Sequence, residues 1–207
     1  SSYLVTVSAP DRLPVRYPFV LDRGERLRLD IPLPKKAVIP PGFAYIPPGR
    51  FLFGSRNEET LRHIFLNTAP AHQVTTPGYL IAINETTFGE WIEFLRDLPP
   101  EERKRRLPKA GDQGVSGSVE LRELPDGRFM LSLKPRTDSL SASSDEPLRY
   151  PARKKRAAQN WLRFPVAGVA LEDVEAYAAW LARTKKVPAA RPCTEIEWER
   201  AARGADD

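Results

Sequence analysis

The side chains able to do chemistry in this sequence are few, and their spacing suits little of it. Two histidines, His63 and His72, stand nine residues apart, away from the single cysteine and outside the H-E-x-x-H spacing by which one helix face grips zinc. No metal ligand set is expected from them. Cys193 directly precedes Thr194, which reads as a helix cap, and a helix N-terminus favours a thiolate and hence a nucleophile. No histidine adjoins it in sequence and no second cysteine completes a redox pair, so the alternative reading is a small, half-buried residue that fixes a helix start. Gly111, Gly114 and Gly117 are followed by a strand-like run and lack the Walker lysine, which argues against a phosphate cradle. Glu195, Glu197 and Glu199 gather at a helix start, where Glu197 is expected to serve the cap and Glu195 to pair with Arg191 or Arg203. Trp91, Trp161, Trp180 and Trp198 read as core; Trp161, the one outside an expected helix, is the candidate for stacking a ligand. No catalytic, cofactor-binding or metal-binding residue is assigned.

The elements that hold these residues follow from local patterns. Tyr3 to Val7 and Leu27 to Ile31 alternate with period 2, predicting strands of a small β unit over residues 1–34, with a turn at Asp22 to Glu25. About thirty residues bury too little surface to stand alone, so this unit should lean on a neighbour. Pro34, Pro40 and Pro41 bound a stiff, extended linker over residues 35–41. Phe43 to Ile46 and Arg50 to Gly54 flank Pro47-Pro48-Gly49 as an expected hairpin. Glu58 to Phe65 reads as a short helix, and His72 to Thr75 and Tyr79 to Ala82 as strands. Thr87 and Glu90 form a capping box that opens a helix with Phe88, Trp91, Ile92 and Leu95 on one face; Pro99-Pro100 ends it. Val119 to Arg122 and Phe129 to Leu133 flank Pro125 to Arg128 as a second hairpin, and Ser139 to Ser144 and the basic run Arg153 to Arg156 read as exposed loop. Leu171 to Arg183 is an amphipathic helix. Thr194 and Glu197 form another capping box, whose helix carries Ile196, Trp198, Ala201 and Ala202 and stops at Gly204.

Composition excludes several classes. With 32 Lys and Arg against 27 Asp and Glu in 207 residues, the charge of +5 is too dilute to argue for nucleic acid, and the basic run lacks interleaved aromatic residues as stacking platforms. No apolar run approaches the roughly 18 residues of a membrane span. One cysteine excludes an internal disulfide, and no secretory leader opens the sequence, so the expected compartment is the cytoplasm. The 21 prolines, roughly twice the usual frequency, predict many irregular connections. The chain opens at Ser1 and its one methionine is Met130; both ends read as cut, and a piece of a longer polypeptide is expected.

Four blocks carry a resemblance. Gly42-Phe43-Ala44-Tyr45-Ile46-Pro47-Pro48-Gly49-Arg50-Phe51-Leu52-Phe53-Gly54-Ser55, then Asn84-Glu85-Thr86-Thr87, then Phe164-Pro165-Val166-Ala167-Gly168-Val169 with Asp173, Ala176, Tyr177 and Trp180, and finally the run from Arg191 to Gly204 follow in order over residues 42–204. Together they resemble the formylglycine-generating enzyme, or sulfatase-modifying factor, family. The residues carrying the signature are Thr87, Glu90, Tyr177, Trp180, Arg191, Thr194, Glu195, Glu197, Trp198 and Arg203. Ala170, Leu171 and Pro192 depart from the family's usual serine, tryptophan and leucine. Cys193 and the run Asn160 to Pro165 are most similar to members fused behind bacterial serine/threonine kinases.

The resemblance implies an α+β, irregular, loop-rich variant of the C-type lectin fold, with residues 42–207 as the N-terminal half of the domain. It also implies copper held by paired cysteines and calcium sites, all in a C-terminal half that these residues do not include. The leading expectation is a non-catalytic binding, sensing or regulatory module of a kinase-linked signalling protein. The alternatives are the N-terminal half of a metal-dependent oxidase that needs its other half, and a fragment produced or recognised by a partner protease. Expected partners are the missing C-terminal half or another protein chain, and a serine/threonine kinase domain; neither nucleic acid nor membrane is expected.

Overall fold

A computed structural model of the chain describes residues 2–57, 59, 69–111, 116–135 and 138–204. Among the described residues, the helices are α1 (Phe88–Arg96), α2 (Pro100–Arg105), α3 (Leu171–Arg183) and α4 (Glu195–Arg203), and short strands form five small antiparallel sheets, an α+β architecture rich in loops. None of the helices among the described residues is long and apolar enough to cross a membrane. The chain divides into two compact units, residues 1–84 with 193–207, and residues 85–192.

In the first unit, β1 (Ser2–Val7) and β2 (Val15–Val20) form an antiparallel hairpin in which Tyr3 opposes Phe19, their rings stacked at 5.5 Å. Cross-strand aromatic pairs of this kind are a main source of sheet stability. Val15, Tyr17 and Val20 are buried, and the Arg50 guanidinium donates to the Val20 carbonyl (3.1 Å) and to Glu25 (2.5 Å). The hairpin thus leans on the segment that follows. The strand expected at Leu27 to Ile31 does not form. Its alternation finds no ladder partner, Pro32 and Pro34 remove donors just beyond it, and Leu27 is exposed. Within the proline-rich stretch, Lys36–Val38 closes a 3-10 turn.

β3 (Phe43–Ile46) and β4 (Gly49–Phe53) appear where the sequence places them, but not as a hairpin. β3 pairs with β6 (Tyr79–Ala82), and β4 with β5 (His72–Thr76). Pro47 and Pro48 have no N–H with which to close a ladder across the turn, so each strand takes a distant partner. The helix expected at Glu58 to Phe65 lies, apart from Glu59, outside the described residues.

The second unit is built around β7 (Lys109–Ala110), β8 (Ser118–Glu123), β9 (Phe129–Lys134) and β10 (Leu140–Ser143), ordered β10-β9-β8-β7. The β8–β9 hairpin matches the expectation, with Ser118 opposite Lys134 and Glu123 opposite Phe129. Ser139 to Ser144 is not the exposed loop the serines suggested. Leu140 and Ala142 alternate inward and join β9 as a fourth strand, and Ser143 is buried with them. A two-stranded ribbon, β11 (Leu148–Arg149) and β12 (Ala158–Gln159), follows.

α1 begins with its capping box complete: the Glu90 N–H donates to Thr87 Oγ1 (3.3 Å) and the Thr87 N–H to Glu90 Oε2 (2.8 Å). Its apolar face meets α3, where Trp91 stacks on Tyr177 (5.3 Å) and Phe94 packs against both Tyr177 and Trp180 (5.6 Å each). Burial of each such side chain contributes roughly 1.5–3 kcal/mol. Pro99-Pro100 ends α1 and also starts α2, since Pro100 sits in the first turn, where its missing N–H costs nothing.

α3 carries only half a capping box. The Ala170 N–H donates to Asp173 Oδ2 (3.1 Å), but alanine offers no oxygen in return. Ala170→Ser should restore the missing acceptor and stabilise the protein by about 1 kcal/mol, read as a higher urea midpoint at unchanged m value. A lower midpoint would show that the backbone of Ala170, though extended, does not suit a cap.

Candidate functional site

The signature residues near the end of the chain meet on α4. Thr194 caps the helix: the Glu197 N–H donates to Thr194 Oγ1 (3.2 Å), and the Thr194 N–H donates to Glu197 Oε2 (2.9 Å). Gly204 ends the helix at φ +82°, its N–H donating to the Arg200 carbonyl (2.9 Å). Within the helix Arg203 and Glu199, one turn apart, form an ion pair at 2.5 Å, and both then grip the end of β4. Glu199 Oε1 accepts from the Gly54 N–H (2.8 Å), while Arg203 Nη1 donates to the Gly54 carbonyl (2.7 Å). A cleft of about 190 Å³ opens beside this clamp, lined by Phe53, Ser55, Ala69 and Glu195. Arg203 therefore goes to Glu199 rather than to the expected Glu195, which is exposed at the cleft edge.

The buried face of α4 is polar. Glu197 is 6% exposed and Arg200 2%, whereas Trp198, expected in the core, is 62% exposed. The capping box sets the helix phase, and it turns positions 197 and 200 inward and 198 outward. Arg200 Nη2 donates to the Pro47 carbonyl (3.2 Å), and the guanidinium lies 5.5 Å from the Phe51 ring centroid. Its Nε and Nη1 have no partner among the described residues, and burial holds its pKa below the ordinary value. Gly49 makes room for this arrangement: a Cβ there would lie 2.7 Å from Arg200 Nη2 and 2.8 Å from the Tyr17 hydroxyl. Nearby, Tyr79 donates to the Glu197 carbonyl (2.5 Å), and burial pushes its phenol up to about 12.

A buried, half-satisfied cation costs more than its contacts return, and apolar replacements of buried charges are often neutral or stabilising by about 1–4 kcal/mol. Arg200→Met should accordingly raise stability by about 1 kcal/mol or more. A fall in the denaturation midpoint would show that the Pro47 and Phe51 contacts outweigh the two orphaned donors.

The other signature residues serve packing. Thr87 and Glu90 cap α1, and Tyr177 and Trp180 fill the aromatic stack of the second unit, with the Trp180 indole N–H donating to Asp97 (2.8 Å). A second cleft, about 350 Å³, opens on that unit between Glu93, Arg96, Asp97, Trp180, Thr184 and Lys186. Lys186 pairs with Glu93 (2.6 Å) and covers the Trp180 ring at 4.7 Å, so the charged groups of this cleft are turned on one another. Trp161 is 0% exposed; its indole N–H donates to the Ser143 carbonyl (3.0 Å) and its ring meets Phe88 edge to face, so no ring face reaches solvent. Arg191 is exposed and donates to the Pro192 carbonyl (3.0 Å). Cys193 is exposed rather than half-buried. His72 is exposed and bonded to the Pro70 carbonyl (2.8 Å), while His63 and Gly114 lie outside the described residues.

Sequence reasoning placed Glu199 only in an acidic helix start, without its contact to Gly54, and gave no role to Arg200, Gly49 or Gly54. For Glu199 a signal existed, its spacing of four from Arg203. The inward turn of Arg200 had none, because a charged residue at a helical position reads as a wet face.

Comparison with known proteins agrees with the placement of these blocks. Residues 32–207 match the family described as the sulfatase-modifying factor enzyme 1-like domain. A curated relative from Mus musculus, inactive C-alpha-formylglycine-generating enzyme 2, is 30% identical over 164 residues, which cover 79% of this chain and 48% of the relative. The chain thus spans about half the length of the curated relative it matches. With the Gly54 clamp built from the blocks of that signature, and Thr87, Thr194, Tyr177 and Trp180 of the same blocks in the caps and the aromatic stack, the chain belongs to the formylglycine-generating enzyme, or sulfatase-modifying factor, family.

Proposed function

We propose that this chain is a non-catalytic member of its family, a binding and regulatory module of a bacterial, cytoplasmic signalling protein linked to a serine/threonine kinase domain. The observation that carries the reading is the use made of the signature residues. Thr87, Glu90, Thr194, Glu197, Glu199 and Arg203 are engaged in caps and in the Gly54 clamp, and these contacts hold the scaffold. The relative named as an inactive formylglycine-generating enzyme supports it. The family's copper and calcium ligands are expected in the C-terminal half, and Cys193, exposed, is assigned no metal-binding role.

The partner proposed is the C-terminal half of the domain or another protein chain, in keeping with a match that covers 48% of the relative. The kinase link has a direct test in the reading frame that encodes the natural protein. A serine/threonine kinase domain in the same polypeptide is expected; a frame without one removes that part of the proposal.

A second reading is the N-terminal half of a metal-dependent oxidase, favoured by the half-length coverage of the relative. It requires two closely spaced cysteines in the C-terminal half of the natural protein.

A further inference from the structure

The chain's positive charge is not spread over its surface. The segment 149–156, which links β11 to β12, carries Arg149, Arg153, Lys154, Lys155 and Arg156 and no acidic residue. Setting these five cations aside leaves 27 Lys and Arg against 27 Asp and Glu, so the whole surplus of +5 resides in one hairpin. All five residues are exposed, and none takes part in an ion pair among the described residues.

The hairpin is also held in shape. Leu148, 0% exposed, anchors its base opposite Gln159, the Tyr150 N–H donates to the Ala157 carbonyl (2.7 Å), and the Arg153 N–H donates to the Tyr150 carbonyl (3.1 Å). Arg153 stacks over the Tyr150 ring at 3.8 Å, and the Gln159 side chain donates to the carbonyl of Arg156, which takes the left-handed conformation at φ +51°. A loop ordered by these contacts presents its cations with less conformational entropy to lose on binding. Many other cations of this unit are matched locally, as Arg128 is by Asp126 and Asp145 at 2.8 Å each and Arg106 by Asp173 at 2.9 Å. Unmatched like charges repel, so their concentration here is unfavourable unless an anion answers them.

We propose that the β11–β12 hairpin is a docking surface for an acidic protein segment, a run of Asp, Glu or phosphorylated side chains. Three of its five cations are arginines, whose planar fork suits carboxylates and phosphates. Nucleic acid is disfavoured, because Arg153 occupies the face of the loop's one aromatic ring and the otherwise neutral chain offers no track for a phosphate backbone. A membrane surface is disfavoured because residues 151–157 contain no large apolar side chain to insert.

The test measures binding of a fluorescein-labelled hexaglutamate peptide to the full chain across salt concentrations. The comparison is with the variant R153Q/K154Q/K155Q/R156Q and with a charge-matched control, R16Q/R26Q/K35Q/K36Q. All substituted residues are exposed, so thermal unfolding of both variants should match the parent. Binding by the parent that weakens with salt, falls about tenfold or more in the hairpin variant, and persists in the control is the expected result. No binding at low salt, or equal losses in the two variants, overturns the proposal. So does hairpin-dependent binding to oligo-dT or to phosphatidylserine vesicles that exceeds binding to the peptide.

Discussion

Truncating Trp161 to alanine should remove roughly 3–5 kcal/mol of stability, a large share of the roughly 5–15 kcal/mol typical of a folded domain. The side chain is fully buried, sits on the 3-10 turn Trp161–Arg163, and closes the core against Phe88. The Asn160 side chain caps that turn by accepting from the Leu162 N–H (3.1 Å), so the indole is held from its own backbone as well as from its neighbours. Alanine would leave both a cavity and an orphaned Ser143 carbonyl, the acceptor of the indole N–H. Trp161→Phe separates the two effects: it keeps most of the apolar volume and should cost only about 1–3 kcal/mol, the range for an unsatisfied buried group. Urea unfolding followed by circular dichroism reads both values. A loss below about 1 kcal/mol for the alanine variant would mean that the ring is not packed as described.

Gly54→Ala should be nearly as damaging, at about 2–5 kcal/mol, for a different reason. Gly54 has φ +95°, where a side chain costs about 1–2 kcal/mol, and an added Cβ would lie 2.6 Å from the Ala69 carbonyl oxygen and 2.7 Å from that of Pro70. Those are backbone atoms, so the strand end must move, and displacements of this kind typically cost a further 1–3 kcal/mol or so. The movement would also take the Gly54 N–H and carbonyl away from Glu199 and Arg203. The predicted signature is faster hydrogen exchange at the Gly54 amide together with a lower unfolding midpoint. Unchanged exchange in Gly54→Ala would contradict the clamp.

The contrast between these residues explains what the sequence made legible. Both capping boxes, the stop at Gly204, the aromatic face of α1 and the β8–β9 hairpin depend on residues a few positions apart, and each lies where the pattern placed it. The pairing of β3 with β6 and of β4 with β5 depends on contacts across nineteen or more positions, about which the proline turn between β3 and β4 gave no information. Serines hid β10, because two inward residues, Leu140 and Ala142, suffice for a strand when β9 is already waiting. At the candidate site the caps were legible. The inward Arg200 and outward Trp198 were not, since charge and size argued for the opposite placement and the helix phase decided otherwise.

The surplus of five charges, too dilute for an argument when averaged over the chain, gains meaning once it is located in one ordered hairpin. Fold and interaction surface thus sit on different parts of the sequence: the family blocks build the scaffold, and residues outside those blocks carry the unmatched charge.

The central claim, a family scaffold retained without the family's oxidation chemistry, is tested most directly in the natural full-length protein. Incubated with copper, oxygen and a cysteine-containing sulfatase peptide, beside an active formylglycine-generating enzyme as control, it is predicted to leave the peptide's mass unchanged. Conversion of the peptide cysteine to formylglycine by the full-length protein would contradict the account.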